Sequence, residues 1–354
     1  MSTHTKPEKP LTIIDVARIL GVSKSTVSAA FTGNGNISRE RQESVRQAAL
    51  ALGYQPNPHA QGLIRGHRND TVALFARVLD TGAASYKLRE LQSLLFQQGY
   101  MAPIYAFSSG LQTDPAAQRA MLQSLREMRP RAIACNVTDL DPLAIKELHR
   151  FQEEGGVIVA YDYALPLECD QVHFDREHNT YAAMRHLLEL GHRDIGFALG
   201  ISHHSNQPRM RGLLRALQEF DTPLQKQWLK YSPQGQGELL GLQLAEFFLA
   251  QKKRPTAMCI VNDYISSGFV FTVQRQGIRV PDDLSVVSHD DLPIARIGAP
   301  VPLTTMSQPV DAIANHVARL LTERLDGTYN GPPRSIEVRG ELKLRETTTP
   351  LHSH

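Results

Sequence analysis

Apolar and polar positions near the amino terminus predict two short helices joined by a tight turn. Thr12, followed three residues later by Asp15, is a capping-box pattern that marks the start of the first helix. Gly21 ends this helix, because glycine adopts a left-handed backbone at low cost. Ser23 is a favoured cap for a second helix, which we expect to run to about Phe31.

The spacing of small, flexible and branched residues in this stretch predicts a helix-turn-helix. Two helices that cross steeply need a small contact residue, a left-handed turn and a branched apolar residue, and Ala17, Gly21 and Val27 supply them. A third helix, from Ser38 to about Leu52, would close a three-helix core. The alternative is a helical hairpin with no role in DNA binding. It is disfavoured because short polar residues line the outer face of the second helix.

The outer face of the second helix carries residues suited to contact DNA. In a major groove, Lys24 and Ser25 at the helix amino terminus would meet base edges. Neighbouring hydroxyl groups would reach phosphates with help from the helix dipole. We expect Ala29 to lie on the same face. The candidate contacts in this unit are Thr12, Ser23, Lys24, Ser25, Thr26, Ser28 and Ala29.

The next segment predicts a short helix that is too weak to fold alone. Asn57 can cap it and Pro58 suits its first position, but the helix spans little more than one turn and contains Gly62. Such a segment folds on a partner, and Leu63 would then wedge between base steps in a minor groove. A plain linker with one incidental leucine explains the pattern equally well. The candidate DNA contacts here are Asn57, Ala60, Leu63 and Arg65.

The uneven distribution of charge points to a polyanionic partner for the amino-terminal part. Residues 1–66 contain eight Lys and Arg against four Asp and Glu, whereas the whole chain has a net charge of only +2. A small basic unit attached to a near-neutral body fits a nucleic-acid ligand.

Composition disfavours several other classes of protein. With 42% hydrophobic and 21% charged residues, the 354-residue chain is typical of a globular protein of two or three domains. No apolar run approaches the ~18 residues of a membrane span, and residues 1–10 are typical of a disordered leader rather than a signal peptide. The three cysteines indicate reduced thiols in a cytoplasmic protein. No pair of them has metal-ligand spacing, so we expect no metal and no cofactor.

From Asp70 onward, patterns of buried strands alternate with helical patterns. This alternation predicts an α/β body with two parallel sheets and therefore two lobes. Ligands bind beyond the carboxyl ends of such strands. Polar residues end four of the predicted strands: Asn136, Asp162, Asn262 and Asp290. Each could instead be a loop cap, but four together favour a ligand cleft.

Eight stretches of the sequence carry a likeness to one known family. In the amino-terminal part they are DVARILGVSKSTVS, ISRERQESVRQAALALGYQPN and AQGLIRG, and in the body HLLELGHRDIGFALG, RMRGLLRAL, VNDYISSG, GIRVPDDLSVVSHDD and PLTTMSQP. They resemble the lactose/galactose repressor family of bacterial transcription regulators. The resemblance implies that Lys24 and Ser25 read bases and that Leu63 is the hinge-helix leucine that opens the central operator step. Ala29 departs from the family pattern, which usually has a base-reading arginine there.

The resemblance also implies a body similar to periplasmic sugar-binding proteins. It places an effector among Asn136, Asp162, Phe174, Arg209, Trp228, Asn262, Asp290 and Gln308. Carboxylates and amides would hydrogen-bond sugar hydroxyls, while Phe174 and Trp228 would stack on an apolar sugar face. Arg209 could instead pair with a carboxylate or phosphate. Ser288–His289 and His178–Asn179 depart from the family pattern.

These patterns together predict the fold class and its divisions. The fold is α/β: a three-helix helix-turn-helix headpiece and a hinge helix, followed by a two-lobed, periplasmic-binding-protein-like body with two parallel sheets. The divisions are a leader (1–10), the DNA-binding domain (11–56), the hinge and linker (57–69), the effector domain (70–346) and a tail (347–354). Lobe one takes about 70–172 and 306–332, and lobe two about 173–305 and 333–346.

The expected function is transcriptional repression. We expect a cytoplasmic homodimer that binds a palindromic operator in double-stranded DNA and is controlled by a sugar-like small-molecule effector, with no membrane partner. A protein partner or a non-sugar metabolite could supply the signal instead. An enzyme is disfavoured because the phosphate-loop, serine-elbow and metal-site motifs are absent from the sequence.

Overall fold

The chain folds as two compact units, Met1–Asn69 and Asp70–His354, in the computed structural model. The structure describes residues 11–32, 37–54, 69–76, 82–106, 114–137, 140–200, 203–231 and 237–351. The first unit is helical, and the second alternates strands and helices.

The first unit begins with the predicted capping box. The Thr12 hydroxyl oxygen accepts from the backbone N–H of Asp15 at 3.3 Å, and the backbone N–H of Thr12 donates to Asp15 Oδ2 at 3.1 Å. Gly21, with a φ of 64°, makes the left-handed turn. The helices in the described part of this unit are α1 (Ile13–Ile19), α2 (Lys24–Thr32) and α3 (Arg39–Ala51).

A small apolar core holds the first unit together. Val16, Val27 and Ala49 are completely buried and bring the three helices into contact. The Phe31 and Tyr54 rings meet edge to face, with their centroids 5.6 Å apart. This packing confirms the helix-turn-helix that the residue spacing predicts.

The second unit alternates strands and helices along the chain. The strands are β1 (Asn69–Ala76), β2 (Ile104–Ala106), β3 (Pro130–Asn136), β4 (Val157–Tyr161), β5 (Asp170–Phe174), β6 (Ile195–Leu199), β7 (Leu229–Tyr231), β8 (Ala257–Ile260), β9 (Ser285–Asp290), β10 (Thr304–Ser307), β11 (Ser335–Val338) and β12 (Leu342–Lys343). The helices are α4 (Gly82–Gln97), α5 (Pro115–Glu127), α6 (Pro142–Glu153), α7 (Arg176–Glu189), α8 (His203–Glu219), α9 (Glu238–Leu249), α10 (Asp263–Arg275) and α11 (Val310–Leu325). Asp114 and Asp141 cap α5 and α6, each of which starts with proline.

The described strands form two six-stranded sheets. The first has the order β11-β5-β4-β3-β1-β2, and the second has the order β12-β10-β9-β8-β6-β7. In the centre of each sheet the pairings are parallel, for example β3 with β4 and β8 with β9. Among the described strands, only the short β12 pairs in the antiparallel direction, with β10. The prediction of two parallel sheets is therefore confirmed.

Helices cover both faces of each sheet, so the strands are buried on both sides. In the first sheet, α4 and α11 pack on one face and α5 and α6 on the other. In the second sheet, α7 and α8 cover one face and α9 and α10 the other. We call the first sheet with its helices lobe one, and the second sheet with its helices lobe two.

The chain passes between the lobes after β5, after β10 and after β11. This pattern corrects the sequence-based assignment of residues 333–338 to lobe two, whereas Leu342–Lys343 pair with β10 in lobe two, as predicted. Ser335–Val338 pair in parallel with β5 at the edge of the first sheet. Ile336 and Val338 pack on the apolar core of lobe one, which holds the strand there. Phe174 likewise ends a strand of lobe one rather than belonging to lobe two.

Residues 347–351, predicted as part of a tail, lie against lobe two. The buried Thr347 hydroxyl donates to the carbonyl of Val286 at 2.7 Å and accepts from the backbone N–H of Thr304 at 2.9 Å. The backbone N–H of Leu351 donates to the carbonyl of Leu190 at 2.8 Å. These bonds make the segment part of the lobe.

Candidate functional site

The amino-terminal end of α2 exposes polar side chains on a rigid support. Ser23, Lys24 and Ser25 are exposed, and Thr26 and Ser28 are half-buried. The Ser23 hydroxyl oxygen accepts from the backbone N–H of Thr26 at 3.0 Å, which caps the helix. Because the core fixes α2, these side chains are held in one arrangement that can enter a groove.

One candidate DNA contact of the first unit, Ala29, is placed differently from expectation, and Thr12 forms the predicted capping box. Ala29 is buried, with only 5% of its surface exposed, so its placement on the outer face is wrong. A single methyl group has too little reach to project beyond the neighbouring side chains. The Thr12 hydroxyl is occupied within α1, since it also donates to Asp15 Oδ2 at 2.6 Å. The hinge candidates Asn57, Ala60, Leu63 and Arg65 lie outside the described residues.

A pocket in the second unit lies where the chain passes between the lobes. The lining residues are Phe174, Arg176, Asn179, Thr180, Arg209, His289, Asp290, Met306 and Gln308. Four of the predicted effector contacts, Phe174, Arg209, Asp290 and Gln308, therefore lie together.

Asn136 and Asp162 lie beside this pocket in lobe one. The Lys87 ammonium, which is buried, donates to both Asp162 carboxylate oxygens at 2.6 and 2.5 Å. The side-chain amide of Asn136 donates to Asp162 Oδ2 at 3.1 Å. Burial acts to raise the pKa of Asp162, but the charges of Lys87 and Arg176 outweigh burial and hold that pKa below its usual value. The buried Asp162 carboxylate is thus ionised, and neighbouring positive charges balance its negative charge.

Arg176 connects this ion pair to the pocket. Its guanidinium donates to the backbone carbonyl of Asp162 at 2.7 Å. The same guanidinium lies over the rings of Tyr163, at 4.5 Å, and Phe174, at 5.4 Å from the ring centroids. These contacts fix the Arg176 charge at the boundary between the lobes.

Lobe two contributes a second charged group to the pocket. Burial, and then the charge of Arg176, lower the pKa of Arg209 to about 10, so its guanidinium remains charged at neutral pH. The side-chain amide of Gln308 donates to Asp290 Oδ1 at 2.5 Å. Burial, and then the charge of Arg209, lower the pKa of His289 to about 3, which leaves this imidazole neutral. His289 Nε2 lies 3.6 Å from the Cys259 thiol.

A second buried carboxyl group lies behind Asp290. The Asp263 carboxylate accepts from the backbone N–H of Leu292 at 2.7 Å and from the Thr305 hydroxyl at 2.9 Å. Burial and the nearby Asp290 carboxylate raise the pKa of Asp263 to about 7. Asp263 is therefore the group in this region that titrates near neutral pH.

The backbone is strained at the predicted strand ends. Asp162, Asn262 and Asp290 have φ values of 64°, 77° and 110°, in the region that favours glycine. Residues in such conformations cluster at binding sites, because surrounding contacts must hold them. The strain at Asp162 and Asp290 supports the prediction that these two strand ends border a functional cleft, whereas the strained Asn262 caps α10.

Asn262 and Trp228 are not among the pocket residues. The Asn262 side chain accepts from the backbone N–H of Ile265 at 3.0 Å and caps α10, which is the alternative that the sequence left open. Trp228 precedes β7 and lines a different hollow, with Ile195 at the start of β6. It therefore lies at the amino ends of the strands. The prediction that Trp228 lies in the effector cleft is therefore wrong, because ligands of parallel sheets bind beyond the carboxyl ends of the strands.

The sequence reasoning missed Lys87, Arg176 and Thr180. Arg176 stands two residues after the end of β5, so the rule about polar strand ends could have found it. Lys87 and Thr180 lie on helices, where an isolated polar residue gives no signal of burial. The described residues contain no group of three or more His, Cys, Asp or Glu that could hold a metal ion. No helix in the same residues has the length and apolarity needed to cross a membrane.

The fold and the comparisons define a class of protein: a DNA-binding transcription regulator whose body resembles a periplasmic binding protein. Residues 12–57 match the model for bacterial regulatory proteins of the lacI family, and residues 184–348 match the periplasmic binding protein-like domain. The chain belongs to the lacI family of bacterial regulatory proteins.

Two relatives match the chain over nearly its whole length. The HTH-type transcriptional repressor PurR of Vibrio parahaemolyticus is 28% identical over 343 residues, which cover 96% of this chain and 99% of that protein. The repressor of the same name from Haemophilus influenzae is 26% identical over 345 residues, which cover 95% and 98%.

Solved structures share the fold. The lac repressor dimer bound to operator and the anti-inducer ONPF has a TM-score of 0.78 at 23% identity and covers 96% of this chain and 100% of its own. A LacI-family transcriptional regulator from Silicibacter pomeroyi has a TM-score of 0.81 at 20% identity, with coverage of 96% and 100%. A regulator named CelR, in complex with cellobiose, has a TM-score of 0.68 at 23% identity and covers 95% and 99%.

Proposed function

We propose that this chain is a transcriptional repressor whose affinity for an operator is controlled by a small polar effector. The observation that carries the proposal is the exposed amino end of α2, with Lys24 and Ser25, on a packed three-helix core. The pocket at the points where the chain passes between the lobes supports the effector part. The relatives named as repressors support repression rather than activation of transcription.

The DNA contacts follow from the chemistry of α2. Lys24 and Ser25 meet base edges in the major groove, and the hydroxyl groups of Ser23, Thr26 and Ser28 contact phosphates. The hinge candidates Asn57, Ala60, Leu63 and Arg65, which lie outside the described residues, contact the minor groove, where a leucine can wedge between base steps. Affinity falls with salt, because each phosphate contact releases counterions.

The functional form is a homodimer on a palindromic site. Each helix-turn-helix reads one half-site, so that the symmetry of the operator mirrors that of the protein. The lac repressor of similar fold was solved as a dimer on its operator, which supports this assembly.

Effector binding acts by changing the relation of the two lobes. Three segments pass between the lobes next to the pocket, so a ligand that prefers one arrangement of the lobes shifts the population toward it. Thermodynamic linkage then requires the operator to change the affinity for the effector by the same factor.

A selection experiment with full-length protein tests both parts. Randomised duplexes are selected at low salt, and operator affinity is then measured by fluorescence anisotropy with and without neutral sugars, sugar acids, sugar phosphates and nucleobases. We expect an enriched palindrome and at least one compound that changes its Kd by about 5- to 150-fold. Enrichment of no sequence would contradict DNA binding. An operator Kd that no compound changes would contradict the effector, and would favour a protein partner as the signal.

A further inference from the structure

Two buried hydroxyl groups connect a buried carboxyl group of lobe two to the backbone. Asp263, Ser266 and Ser288 are completely buried. The Ser266 hydroxyl donates to the backbone carbonyl of Asn262 at 3.0 Å, and its oxygen lies 2.7 Å from the Ser288 hydroxyl oxygen. The Ser288 hydroxyl is also a hydrogen-bond neighbour of the Asp263 carboxyl group. We call this series the serine chain: Asp263, Ser288, Ser266 and the Asn262 carbonyl.

The number of hydrogen atoms in the serine chain depends on the protonation state of Asp263. A carbonyl can only accept, so the single hydroxyl hydrogen of Ser266 is used on Asn262, and Ser288 must donate to Ser266. Ser288 then has no hydrogen left for Asp263, so the contact between them is a hydrogen bond only when Asp263 carries a proton and donates it. With Asp263 ionised, the three contacts of the chain share only two hydrogen atoms.

The surroundings of Asp263 also favour the neutral acid. Its other donors, the backbone N–H of Leu292 and the Thr305 hydroxyl, carry no charge. Burial and the nearby Asp290 carboxylate raise the pKa of Asp263 to about 7. His289 stays neutral between pH 6 and pH 8, because its pKa is lowered to about 3. The other charged groups around the two carboxyl groups are Lys87 on α4, Arg176 on α7, Arg209 on α8, and the ion-paired Asp291, Arg296 and Arg345.

Asp263 also holds the turn that follows β9, through the backbone N–H of Leu292. The two residues before Leu292, Asp290 and Asp291, have φ values of 110° and 56°, so the turn depends on its contacts to keep this conformation. The turn reaches lobe one at the start of α4. A Cβ added at Gly82 would lie 3.5 Å from Asp290 Oδ2 and 3.4 Å from Leu292 Cδ1. The turn 290–292 is therefore a contact between the lobes that is bonded directly to Asp263.

We propose that the serine chain is a proton-binding site that makes the contact between the lobes depend on pH. With the proton on Asp263, the chain is complete and Asp290 carries the negative charge of the pair. When the proton passes to solvent, Ser288 turns its hydrogen toward Asp263, the bond to Ser266 is lost, and two like charges repel each other beside the turn 290–292. The turn shifts, and the population of lobe arrangements shifts with it. The effect on operator affinity rests on the proposed function.

Infrared spectra of the full-length protein detect the protonated acid directly, because a neutral carboxyl group has a carbonyl stretching band separate from the carboxylate bands. In the difference between wild type and Asp263→Asn we expect this band at pH 6, and we expect it to disappear with a midpoint near pH 7. The difference reports on Asp263 together with Asp290, since asparagine removes a charge that acts on Asp290. A difference spectrum without the band at pH 6 overturns the proposal.

Ser266→Ala tests the hydrogen count and gives a shift of defined sign. The substitution frees the Ser288 hydrogen, which then stabilises ionised Asp263, so the midpoint of the infrared titration should fall by about one pH unit. Thr272→Ala is the matched control, because the Thr272 hydroxyl also donates to the carbonyl four residues earlier on α10, at 2.8 Å, but is not part of the serine chain. Its midpoint should equal that of the wild type. Equal midpoints in Ser266→Ala and Thr272→Ala overturn the proposal, and this pair keeps the test valid if Asp263→Asn fails to fold.

Operator titrations test whether the proton acts on the lobes. The Kd for the selected operator is measured by fluorescence anisotropy at pH 6 and pH 8 and constant ionic strength. We expect the ratio of the two Kd values to differ by about 5-fold or more between wild type and Asp263→Asn, and to be the same in wild type and Thr272→Ala. Equal ratios in wild type and Asp263→Asn overturn the coupling. If no operator is enriched, the proposed function fails, while the infrared titrations still decide whether Asp263 binds the proton.

Discussion

The backbone N–H of Gly340 donates to the side-chain oxygen of Asn179 at 3.0 Å. The Asn179 amide donates in turn to the backbone carbonyl of Ser307 at 3.0 Å. Asn179 is at the start of α7, Ser307 ends β10 and Gly340 follows β11. One side chain therefore ties together all three segments that pass between the lobes. This joint adjoins the pocket between the lobes, because Asn179 is one of the residues that line it.

Gly340→Ala should disrupt the joint. An added Cβ would lie 1.9 Å from the carbonyl oxygen of Ser307 and 2.4 Å from Asn179 Nδ2, so the backbone must shift. We expect the free energy of unfolding to fall by about 1–3 kcal/mol and the response of operator affinity to effector to weaken. Urea denaturation and operator titrations measure the two effects.

The matched control for this substitution is Gly200→Ala. A Cβ at Gly200 meets only Val261 Cγ1, at an ordinary 3.8 Å. We expect a change in the free energy of unfolding within about 0.5 kcal/mol. Equal effects of the two substitutions would show that the close approach at Gly340 has no special role.

Lys87→Met should destabilise lobe one, because it leaves the buried Asp162 carboxylate without its ammonium partner. The expected loss is about 3–5 kcal/mol in the free energy of unfolding. Adding Asp162→Asn removes the unpaired charge and should restore part of that loss. A double variant less stable than Lys87→Met alone would contradict the account of the pair.

The same pair predicts a dependence on pH. The pKa of Asp162 is lower in the folded chain, so the ionised carboxylate contributes stability above its unfolded pKa. That contribution is lost as the pH falls through the folded pKa, on the acid side of about 4. In Lys87→Met the loss on acidification should be smaller, as urea denaturation between pH 7 and pH 3 would measure.

Asp263→Asn should change the dependence of stability on pH in the opposite direction. The raised pKa of about 7 means that the folded chain holds an extra proton between about pH 4 and pH 7. Stability from this group is therefore lost as the pH rises through 7. We expect the variant to gain stability relative to the wild type as the pH rises from 5 to 8.

Comparison of Asp263→Asn with the wild type reports on Asp263 together with Asp290, whose charge helps to raise the pKa of Asp263. His289, with its pKa lowered to about 3, makes stability fall as the pH drops below about 6.5, but it contributes equally to both proteins. Asp282→Asn, which removes an exposed carboxylate of the same lobe, serves as the control. A pH dependence that matches the control would contradict the buried protonated state of Asp263.

Lys24→Ala and Ser25→Ala should reduce discrimination between operator and random duplex. Both side chains are exposed at the amino end of α2, and each base contact that is lost should cost about 1–3 kcal/mol of specific binding. Arg46→Gln, on the exposed part of α3, removes a charge that already pairs with Glu43 and should leave discrimination unchanged. Competition titrations of operator against random DNA would measure the ratio.

Much of the fold could be predicted because local chemistry signals it directly. The Thr12–Asp15 capping box and the left-handed Gly21 fix the boundaries of the first helices. Alternation of strand and helix patterns indicates the parallel sheets. The position of β11 at the edge of the first sheet was not predicted, because its partner, β5, is about 160 residues earlier in the chain and no local pattern encodes such a pairing.

Residue chemistry alone predicted the part of the candidate site at strand ends, whereas the helical residue Arg209 was placed in the cleft only by the family resemblance. Asp162 and Asp290 follow from the rule for parallel sheets, as their strained backbones also indicate. Lys87 is on a helix, and only the packing of α4 against lobe one buries it. Trp228 was misplaced because the family resemblance, and not the strand pattern, put it in the cleft, whereas it precedes β7 at the amino end of that strand.

The measurement that tests the central claim most directly is selection of randomised duplexes by the full-length protein at low salt. We predict enrichment of a palindrome whose half-sites are one helical turn apart, with enrichment lost in the double variant Lys24→Ala, Ser25→Ala. No enriched sequence, or the same enrichment with the double variant, would contradict the account.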